Sequence, residues 1–405
     1  MNWGQRAQDR LSDIARCSVD GEGVTRFPFT SQHEAALDVI RSWMSQAGLQ
    51  VHMDAAGTLI GRKDGPEGAP TFLIGSHQDS VRNGGGYDGI MGVVLGCLAL
   101  EKLAADGNEL PFSVEILAFA DEEGVRFPTA LMGPRALAGT FDPAVLAMTD
   151  SDGVSLRNAL AGFGGDPDRV AALARDPAKT LGYLEIHIEQ GPVLEAQDTA
   201  LGIVTGICGI ERNTVTFTGD TGHAGTVPMD SRRDALVAAS DFISAIHDAA
   251  KKVTDLRATI GALSLHPNVV NAIPRAVELT LEIRALNDAV RDDFARLARY
   301  LGDNISGERR VGFSMERTYE QPAVPCNGDL IDALSTATGA ICPTAPRLPS
   351  GATHDASAMA DLCPISMLFV RCEDGVSHKP EEFAASDDMD AAIQSIAAFL
   401  VALEV

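Results

Sequence analysis

The sequence predicts an α/β fold with a mixed, mostly parallel sheet covered by helices, interrupted by an inserted α+β domain. Apolar, β-rich runs alternate with helical patterns through the first half of the 405 residues, the order expected of a parallel sheet covered on both faces. From about residue 212 the order becomes β-α-β-β-α-β, which is ferredoxin-like. The length also exceeds what one hydrophobic core usually holds, so two domains are expected.

The elements of the first domain each have a distinct signal. Residues 36–47 have helical periodicity, and TFLIGSH at 71–77 predicts a buried strand that ends at a histidine. GIMGVVLGCLALEKLAA predicts a helix, VEILAFADEEG a strand that ends in acids, and LGYLEIHIEQG a further strand. Residues 150–180 predict a helical excursion between strands. Because parallel strands end at one edge of their sheet, we expect the side chains at these ends to lie together.

The inserted domain is predicted from six consecutive segments. NTVTFTG is followed by a long amphipathic helix over residues 230–253, then by the strands ATIGALSLH and AVELTLEIRAL. DAVRDDFARLARYL predicts the second helix and VGFSMERTYE the last strand. We therefore assign residues 1–211 and 325–405 to a discontinuous first domain and residues 212–324 to the insert.

Charge and cysteine content limit the expected partners and compartment. The chain has 56 acidic and 32 basic residues, a net charge of −24, so we expect neither nucleic acid nor an anionic membrane as a partner. The apolar runs are too short to span a bilayer, and no segment has the order of a secretory signal. The seven cysteines are never spaced as C-x-x-C, which favours reduced thiols in a cytoplasmic protein.

The glycine-rich stretch GSHQDSVRNGGGYDGIMG, residues 75–92, contains the first candidate ligands. It lacks the lysine of a phosphate-binding loop and the spaced acids of an EF-hand. His77 at a strand end and Asp88 after the turn at glycines 84–86 could converge on a metal ion. Asp79 could then accept the other imidazole N–H. The alternative is a core histidine, with Asp88 as a helix N-cap.

Three further motifs offer ligands and a base. In FADEEGVRF, Glu122 and Glu123 would repel each other unless a cation neutralises them; with a metal, one coordinates and the other takes a proton from bound water. LEIHIEQG places His187 and Glu189 on one strand face, and GVSHKPEE places His378 in a loop. Each motif alone also fits a plainer role: a solvated acidic turn, a strand histidine or a loop histidine.

Taken together, the four motifs match the requirements of a binuclear metal site. Such a site needs about five protein ligands when one carboxylate bridges the ions, which leaves room for a bridging water. The sequence offers five candidate ligands: His77, Asp88, Glu123, His187 and His378.

The motifs GSHQDS–GGGYDG, FADEEGVRF, HIEQGPVLE, GHAGTVPMDSRRDAL, SGATHDA and SHKPEEF occur in that order. With them the chain, from about residue 30 to 400, resembles the carbamoylase/allantoate amidohydrolase (hydantoinase/carbamoylase) family. These are dinuclear-metal hydrolases related to the zinc exopeptidases, and that relationship implies a zinc-exopeptidase-like first domain. HIEQGP and EEGVRF together are specific to this family within its clan.

The resemblance implies two divalent ions per subunit, zinc or manganese, with cobalt or nickel also suited to the ligand set. One ion would be held by His77, Asp88 and His187, and the other by Asp88, Glu123 and His378. Asp88 would bridge the two.

The implied reaction is hydrolysis of a linear C–N bond in a ureido or N-carbamoyl amino acid, or in an allantoate-like compound. A metal-bridging hydroxide, deprotonated by Glu122, would attack the carbonyl, and His223 would stabilise the oxyanion. Within enzymes the alternative is a di- or aminopeptidase, or an N-acyl amino acid amidase, that uses the same site. A metal-binding scaffold without catalysis is a third possibility, but it would not need Glu122.

By resemblance the inserted domain acts as a lid and dimerises, so that the lid of one subunit of a homodimer completes the neighbour's site. The lid residues implied are His223, Asn271 and Arg284. The substrate contacts implied are Gln190, Asn271, Arg284, Gly351 and Ala352.

Each lid residue also has an alternative. Arg284 could pair with Glu282 or Glu278, His223 could be an ordinary surface-turn histidine, and Asn271 could cap a turn.

The chain departs from the family's usual residues at Thr353, Lys379 and Gly222, where Gly, Asn and Asn are common. None of the three is an implied ligand, so the departures bear on substrate choice rather than on chemistry.

Overall fold

A mixed sheet organises the first of two structural units. The structure is a computed structural model that describes residues 2–403. One unit runs to Thr205 and adds Cys326–Leu348 and the chain from Ala352 onward; the other comprises Gly206–Pro325 with Pro349–Gly351. The second unit starts before residue 212 because its first strand already begins at Gly209.

The strands, in chain order, are β1 (Gln50–Met53), β2 (Leu59–Lys63), β3 (Thr71–His77), β4 (Ser113–Phe119), β5 (Thr180–Ile188), β6 (Leu201–Ile207), β7 (Gly209–Thr218), β8 (Leu256–Thr259), β9 (Leu263–His266), β10 (Ala276–Ala285), β11 (Gly312–Gln321), β12 (Val324–Pro325), β13 (Arg347–Ser350) and β14 (Ile365–Val370). The α-helices are α1 (Trp3–Ile14), α2 (Ser31–Gln46), α3 (Ile90–Ala105), α4 (Met132–Ala138), α5 (Leu156–Phe163), α6 (Val193–Ala196), α7 (Ala235–Ala250), α8 (Asp288–Arg309), α9 (Gly328–Gly339), α10 (Asp355–Met359) and α11 (Ser386–Ala402).

The main sheet has the order β1-β2-β4-β3-β5-β14-β6-β12, and β13 pairs with β6. The four central strands, β4, β3, β5 and β14, are mutually parallel, and the pairings on either side of them are antiparallel. The predicted mixed α/β sheet is confirmed. Helix α5 lies between β4 and β5 within residues 150–180, where a helical excursion was predicted, whereas α4 precedes that range and was not predicted.

The central strands are buried on both faces, which explains why their sequences are continuous apolar runs. Every residue of β4 and β14 is buried, as expected of parallel strands covered by helices. Helix α3 is buried from Ile90 to Leu100. Gly92 allows this helix to approach β5, because a Cβ at that position would lie 2.2 Å from the carbonyl oxygen of Ile186.

The second unit contains a five-stranded antiparallel sheet of order β11-β7-β10-β8, with β9 also paired to β10. Helices α7 and α8 supply its apolar core together with the strands. The single strand predicted for ATIGALSLH is wrong, since it forms two short strands, β8 and β9. Between them, the Ala262 backbone makes irregular hydrogen bonds to the Thr280 N–H and hydroxyl, which interrupt the ladder.

Within residues 2–403, no helix has both the length and the apolar character that crossing a membrane requires. All seven cysteines, each inside that range, are free thiols.

Candidate metal centre

The central parallel strands bring three histidines to one carboxylate, that of Asp88. His77 ends β3, His187 lies one residue before the end of β5, and His378 follows β14 in a loop. Nε2 of His187 is 3.0 Å from Asp88 Oδ1, and Nε2 of His77 is 3.8 Å from the same oxygen. Nε2 of His378 is 3.1 Å from Asp88 Oδ2. Oδ1 of Asp88 therefore faces two of the imidazoles, and Oδ2 faces the third.

Glu123 completes the second of these groups. Its Oε1 lies 3.6 Å from Nε2 of His378. The potential ligand atoms of His77, Asp88 and His187 lie within 4.8 Å of one another, and so do those of Asp88, Glu123 and His378. The two groups share Asp88, which is the arrangement that a carboxylate bridging two ions requires.

The donor set fits divalent transition metals. Imidazole and carboxylate donors suit zinc and manganese, and Oε1 of Glu123 is buried without a hydrogen-bond partner among the described residues. Burial, together with the charge of Asp88, raises the pKa of Glu123 to about 7. The hydrogen bond to Asp88 raises the pKa of His378 to about 9. A bound cation would stabilise the deprotonated forms of both groups.

Glu122 stands next to this cluster without being one of the five predicted ligands. One of its carboxylate oxygens lies within 4.8 Å of ligand atoms of His77 and Glu123. Burial raises the pKa of Glu122 well above its ordinary value; His77 lowers it, and Glu123 raises it. A carboxyl group with a raised pKa can accept and return a proton near neutral pH.

Asp79 holds the acidic pair rather than only the histidine. Its carboxylate accepts the backbone N–H groups of Glu122 at 3.1 Å and Glu123 at 3.3 Å. The nearest acceptor for Nδ1 of His77 is the Asp79 backbone carbonyl at 3.1 Å, and the carboxylate oxygen lies at 3.5 Å. Both contacts orient the ring so that Nε2 faces Asp88.

The glycines after His77 have steric reasons. Gly89 has a φ of +66°, and a Cβ there would lie 2.4 Å from the His77 ring. Gly89 is also the N-cap of α3 and provides no side-chain cap, so the alternative in which Asp88 caps this helix is wrong.

Glu189, on the strand that carries His187, does not face the ligand cluster. It accepts the N–H groups of Val193 and Leu194 at the start of α6.

Gln190 lies next to the ligand cluster and contacts Asp88 directly. Its Nε2 donates to Asp88 Oδ2 at 3.1 Å and to the Ser377 hydroxyl at 3.2 Å. Its Oε1 is buried and has no hydrogen-bond partner within residues 2–403. The positive φ of Gln190, +56°, and of His378, +60°, are backbone conformations that side chains rarely adopt, and such strain clusters at functional sites.

Several buried residues near the centre were not predicted from the sequence. Glu185 accepts the Ser76 hydroxyl and the Ala356 N–H, and the His354 ring packs edge-on against His187, 4.6 Å between centroids. Glu382 contacts the Asp88 loop. The motifs SGATHDA and SHKPEEF contain two of these residues, but their contacts are with segments distant in the chain.

The second unit contains the residues that resemblance assigns to a lid. His223 and Asn271 lie on adjacent segments, because the Ala224 N–H donates to the Asn271 carbonyl at 3.0 Å. Both residues are exposed. His223 Nδ1 accepts the Gly225 N–H, so the hydrogen of the imidazole lies on Nε2, which is a donor.

Arg284 makes the salt bridge that was its structural alternative, with Nε 2.8 Å from Glu282 Oε1. Its Nη1 also donates to the Gly351 carbonyl at 2.6 Å. Arg284 and Gly351, two of the residues assigned to the substrate, are therefore neighbours. Ala352 follows directly and is half-buried.

Two of the three departures from the family pattern have a visible setting. A Cβ at Gly222 would lie 2.8 Å from Cγ2 of Val227, so an asparagine would require that loop to shift. Lys379 is exposed and forms no ion pair with any described residue. Thr353 is half-buried, and nothing in the structure explains its presence.

A known protein family matches most of the chain. The model described as Peptidase family M20/M25/M40 matches residues 48–402. The chain belongs to this family. M20 members are metal-dependent, in agreement with the donor set around Asp88.

Named relatives match nearly the whole chain. An N-carbamoyl-L-amino acid amidohydrolase of Geobacillus stearothermophilus is 40% identical over 390 residues, covering 96% of this chain and 95% of that protein. An allantoate deiminase of Arabidopsis thaliana is 37% identical, covering 96% of this chain and 81% of that protein. The resemblance to carbamoylases and allantoate amidohydrolases is confirmed.

Solved structures are similar to this chain over nearly its whole length. An amidase of the hydantoinase/carbamoylase family from Burkholderia multivorans has a TM-score of 0.92 at 31% identity, covering 98% of this chain and 97% of that one. Aminopeptidase PepT from Bacillus cereus has a TM-score of 0.65 at 17% identity, a likeness of fold alone.

Proposed function

We propose that this M20 protein hydrolyses the carbamoyl C–N bond of an N-carbamoyl-L-amino acid or of a related linear ureido acid such as allantoate. The observation that carries the proposal is Asp88, which presents one carboxylate oxygen to each of two ligand groups beside Glu122. The names of the relatives indicate the class of bond, a non-peptide C–N bond.

The protein would hold two divalent ions per subunit, zinc or manganese. His77, Asp88 and His187 would bind one, and Asp88, Glu123 and His378 the other. When bound, the ions supply an activated water and polarise the substrate carbonyl.

Glu122 is the group that moves the proton. Its carboxylate accepts a proton from the attacking water and returns it to the leaving nitrogen. The hydroxyl of the added water is thus bonded to the carbonyl carbon, and its other hydrogen to the leaving nitrogen. From an N-carbamoyl amino acid the products are the free amino acid and carbamic acid, which decomposes to carbon dioxide and ammonia.

The proposed substrate contacts are Gln190, Arg284, Asn271 and the backbone at Gly351 and Ala352. The unpartnered Oε1 of Gln190 is an acceptor suited to a ureido N–H. Arg284 would bind the substrate carboxylate in the bidentate geometry of guanidinium, and Asn271 and the backbone at Gly351 and Ala352 would supply polar contacts.

The second unit would act as a lid and as the interface of a homodimer. The Ala276 end of β10 continues into the hydrogen-bonded pair of His223 and Ala272. Arg284 lies near the other end of β10, about 27 Å from Ala276 at about 3.4 Å per residue. His223 and Arg284 of one subunit are thus too far apart to share one small substrate, which favours His223 and its neighbour Asn271 acting in the partner's site and Arg284 in its own.

Exposed apolar side chains support this interface. Val269 is 54% exposed and Val270 is fully exposed, and both adjoin Asn271. Apolar residues of this kind, next to functional polar groups, are typical of an association surface. The free cysteines are in keeping with a cytoplasmic location.

The test is an ammonia-release screen over N-carbamoyl amino acids, allantoate and dipeptides, with manganese and zinc added separately. We expect ammonia from one or more ureido acids and little dipeptide cleavage. Glu122→Gln should retain metal and lose about 10²–10⁴-fold in turnover. Dipeptide cleavage without ammonia release would establish the peptidase alternative instead.

A further inference from the structure

Glu382 is a buried carboxylate that connects the two loops carrying Asp88 and His378. It is 3% exposed. Its Oε1 accepts the backbone N–H of Tyr87 at 3.0 Å and of Asp88 at 2.9 Å. Its Oε2 accepts the hydroxyl of Ser377 at 3.0 Å. One side chain therefore binds the backbone at Asp88 and the residue that precedes His378.

The glycine run is fitted to this carboxylate. A Cβ at Gly85 would lie 2.2 Å from Glu382 Oε1 and 2.3 Å from its Cβ. A Cβ at the next residue, Gly86, would meet only the Cβ of Ala15 at 3.7 Å, an ordinary contact. Gly85 alone of this pair is therefore required for Glu382 to reach the Asp88 loop.

Ser377 extends the connection to the bridging carboxylate. Its hydroxyl lies 3.1 Å from Asp88 Oδ2 as well as 3.0 Å from Glu382 Oε2, and it has one hydrogen to donate. Gln190 Nε2 donates to this hydroxyl and to Asp88 Oδ2. With Asp88 engaged as a ligand, the Ser377 hydrogen has Glu382 as its acceptor, so the chain Gln190–Ser377–Glu382 stays satisfied.

We infer that Glu382 is a positioning residue that sets Asp88 and His378 at the separation which metal binding requires. Both ligands lie in loops beyond their strands, so the sheet fixes neither of them. The inference rests on the proposed metal centre. It assigns to Glu382 an effect on metal affinity, without contact between Glu382 and metal or substrate.

The experiment measures the affinity of chelator-treated protein for Mn²⁺ and Zn²⁺ by competition with a coloured chelator, alongside the melting temperature of the metal-free protein. Glu382→Ala should weaken metal affinity about 10–100-fold, the range for groups that orient ligands. Glu382→Gln keeps an acceptor for both backbone N–H groups and should remain within about fivefold of wild type.

Two glycine variants test the same contact without altering Glu382. Gly85→Ala should weaken metal affinity about as much as Glu382→Ala, because the new methyl group displaces the carboxylate. Gly86→Ala, the matched control, should leave the affinity unchanged. In a Glu382→Gly background, Gly85→Ala should add little further loss, since the carboxylate and the Cβ that it would strike are both gone.

The outcomes separate the two proposals. Wild-type affinity in Glu382→Ala or in Gly85→Ala overturns the positioning role and leaves the metal centre standing. A lowered melting temperature with unchanged metal affinity does the same, because it shows a purely structural contact. If wild type itself binds no metal, the proposed function fails with it. Should Glu382→Ala not fold, the comparison of Gly85→Ala with Gly86→Ala decides the matter.

Discussion

Single residues around Asp88 determine whether the ligand atoms converge. At Gly89 the absence of a side chain is what leaves room for the His77 ring. The loop must turn at Gly89, with φ +66°, directly beneath the His77 ring. Any larger residue there would be strained in its backbone and would displace an imidazole. The glycine that follows Asp88 is therefore required for the geometry of the ligands more than for the start of helix α3.

Gly89→Ala should weaken metal affinity by at least about 10-fold, because its methyl group would lie 2.4 Å from the His77 ring. Gly107→Ala is the matched control, since Gly107 also has a positive φ, +74°, with no atom within 4 Å of the added Cβ. The control should cost about 1–2 kcal/mol of stability through backbone strain and leave metal affinity unchanged. Equal affinities for the two variants would contradict the steric account.

Asp54 is a buried carboxyl distant in the sequence from the predicted ligands. Its Oδ1 accepts the N–H groups of Ala56 and Thr58, and its Oδ2 has no partner among the described residues. Burial raises the pKa of Asp54 to about 6, against the opposing effect of these hydrogen bonds. Because the folded state binds this proton more tightly than the unfolded state, stability is lost as the pH rises from about 4 through about 6.

Asp54→Asn removes this titration. The free energy of unfolding of the variant minus that of wild type should be about 1–2 kcal/mol more positive at pH 7.5 than at pH 5, because only wild type loses stability over this range. Urea unfolding with chelator present measures the difference without a contribution from bound metal. Asp142→Asn, at an exposed helix cap, is the control. The same pH-dependent difference in the control would rule out burial of Asp54 as the cause.

At the scale of elements, the approach of α3 to β5 aligns Asp88 with His187. Gly92 makes this approach possible, since a Cβ would meet the Ile186 carbonyl at 2.2 Å and Ser76 Cβ at 3.0 Å. Helix α3 begins two residues after Asp88 and is buried along most of its length. Its position against the parallel strands therefore sets where the Asp88 loop ends.

Gly92→Ala should lower the free energy of unfolding by about 1–3 kcal/mol through overpacking. Gly162→Ala, in α5, introduces the same methyl group into a helix where nothing lies within 4 Å. This control should be stabilising by about 0.5–1 kcal/mol, because alanine favours the helix. Thermal or urea unfolding of both variants gives the comparison, and a neutral Gly92→Ala would show that α3 can move away from β5.

Most long elements were predictable because a buried strand or helix appears in the sequence as an unbroken apolar run. TFLIGSH forms β3 at the predicted residues, and GIMGVVLGCLALEKLAA forms α3. The short strands β1, β2, β12 and β13 were not predicted, since strands of two to five residues give little periodicity. ATIGALSLH was predicted as one strand because the irregular contact with Thr280 lies outside the local pattern.

The candidate site was predictable where a ligand ends a strand and hidden where a contact joins distant segments. His77 and His187 could be placed from strand ends alone. Glu382 could not, since its partners Tyr87 and Asp88 lie almost 300 residues away. The role of Asp79 was also incomplete: the sequence suggested a partner for His77, whereas the carboxylate mainly binds the N–H groups of Glu122 and Glu123.

For the whole molecule, the proposed homodimer makes a prediction that no single subunit can satisfy. If His223 acts in the partner's site, a Glu122→Gln subunit still supplies an intact His223 to its neighbour. Mixing inactive Glu122→Gln with inactive His223→Ala and allowing subunit exchange should restore about a quarter of wild-type activity, since half the dimers are mixed and each has one intact site.

Ammonia release before and after exchange measures this restoration. A mixture of Glu122→Gln with Glu123→Gln is the control and should stay inactive, because both changes lie in the site of their own subunit. Failure of the first mixture to recover activity, with mixed dimers demonstrated by mass spectrometry, would contradict the shared site.

In the proposed function, turnover depends on two ions held around Asp88 and on the proton carried by Glu122. Its most direct test is ammonia release from an N-carbamoyl-L-amino acid as Mn²⁺ or Zn²⁺ is added stepwise to chelator-treated protein. We expect activity to rise until two ions are bound per subunit, and Glu122→Gln to bind the same two ions with activity reduced about 10²–10⁴-fold. Turnover by the metal-free protein, or wild-type turnover by Glu122→Gln, would contradict the claim.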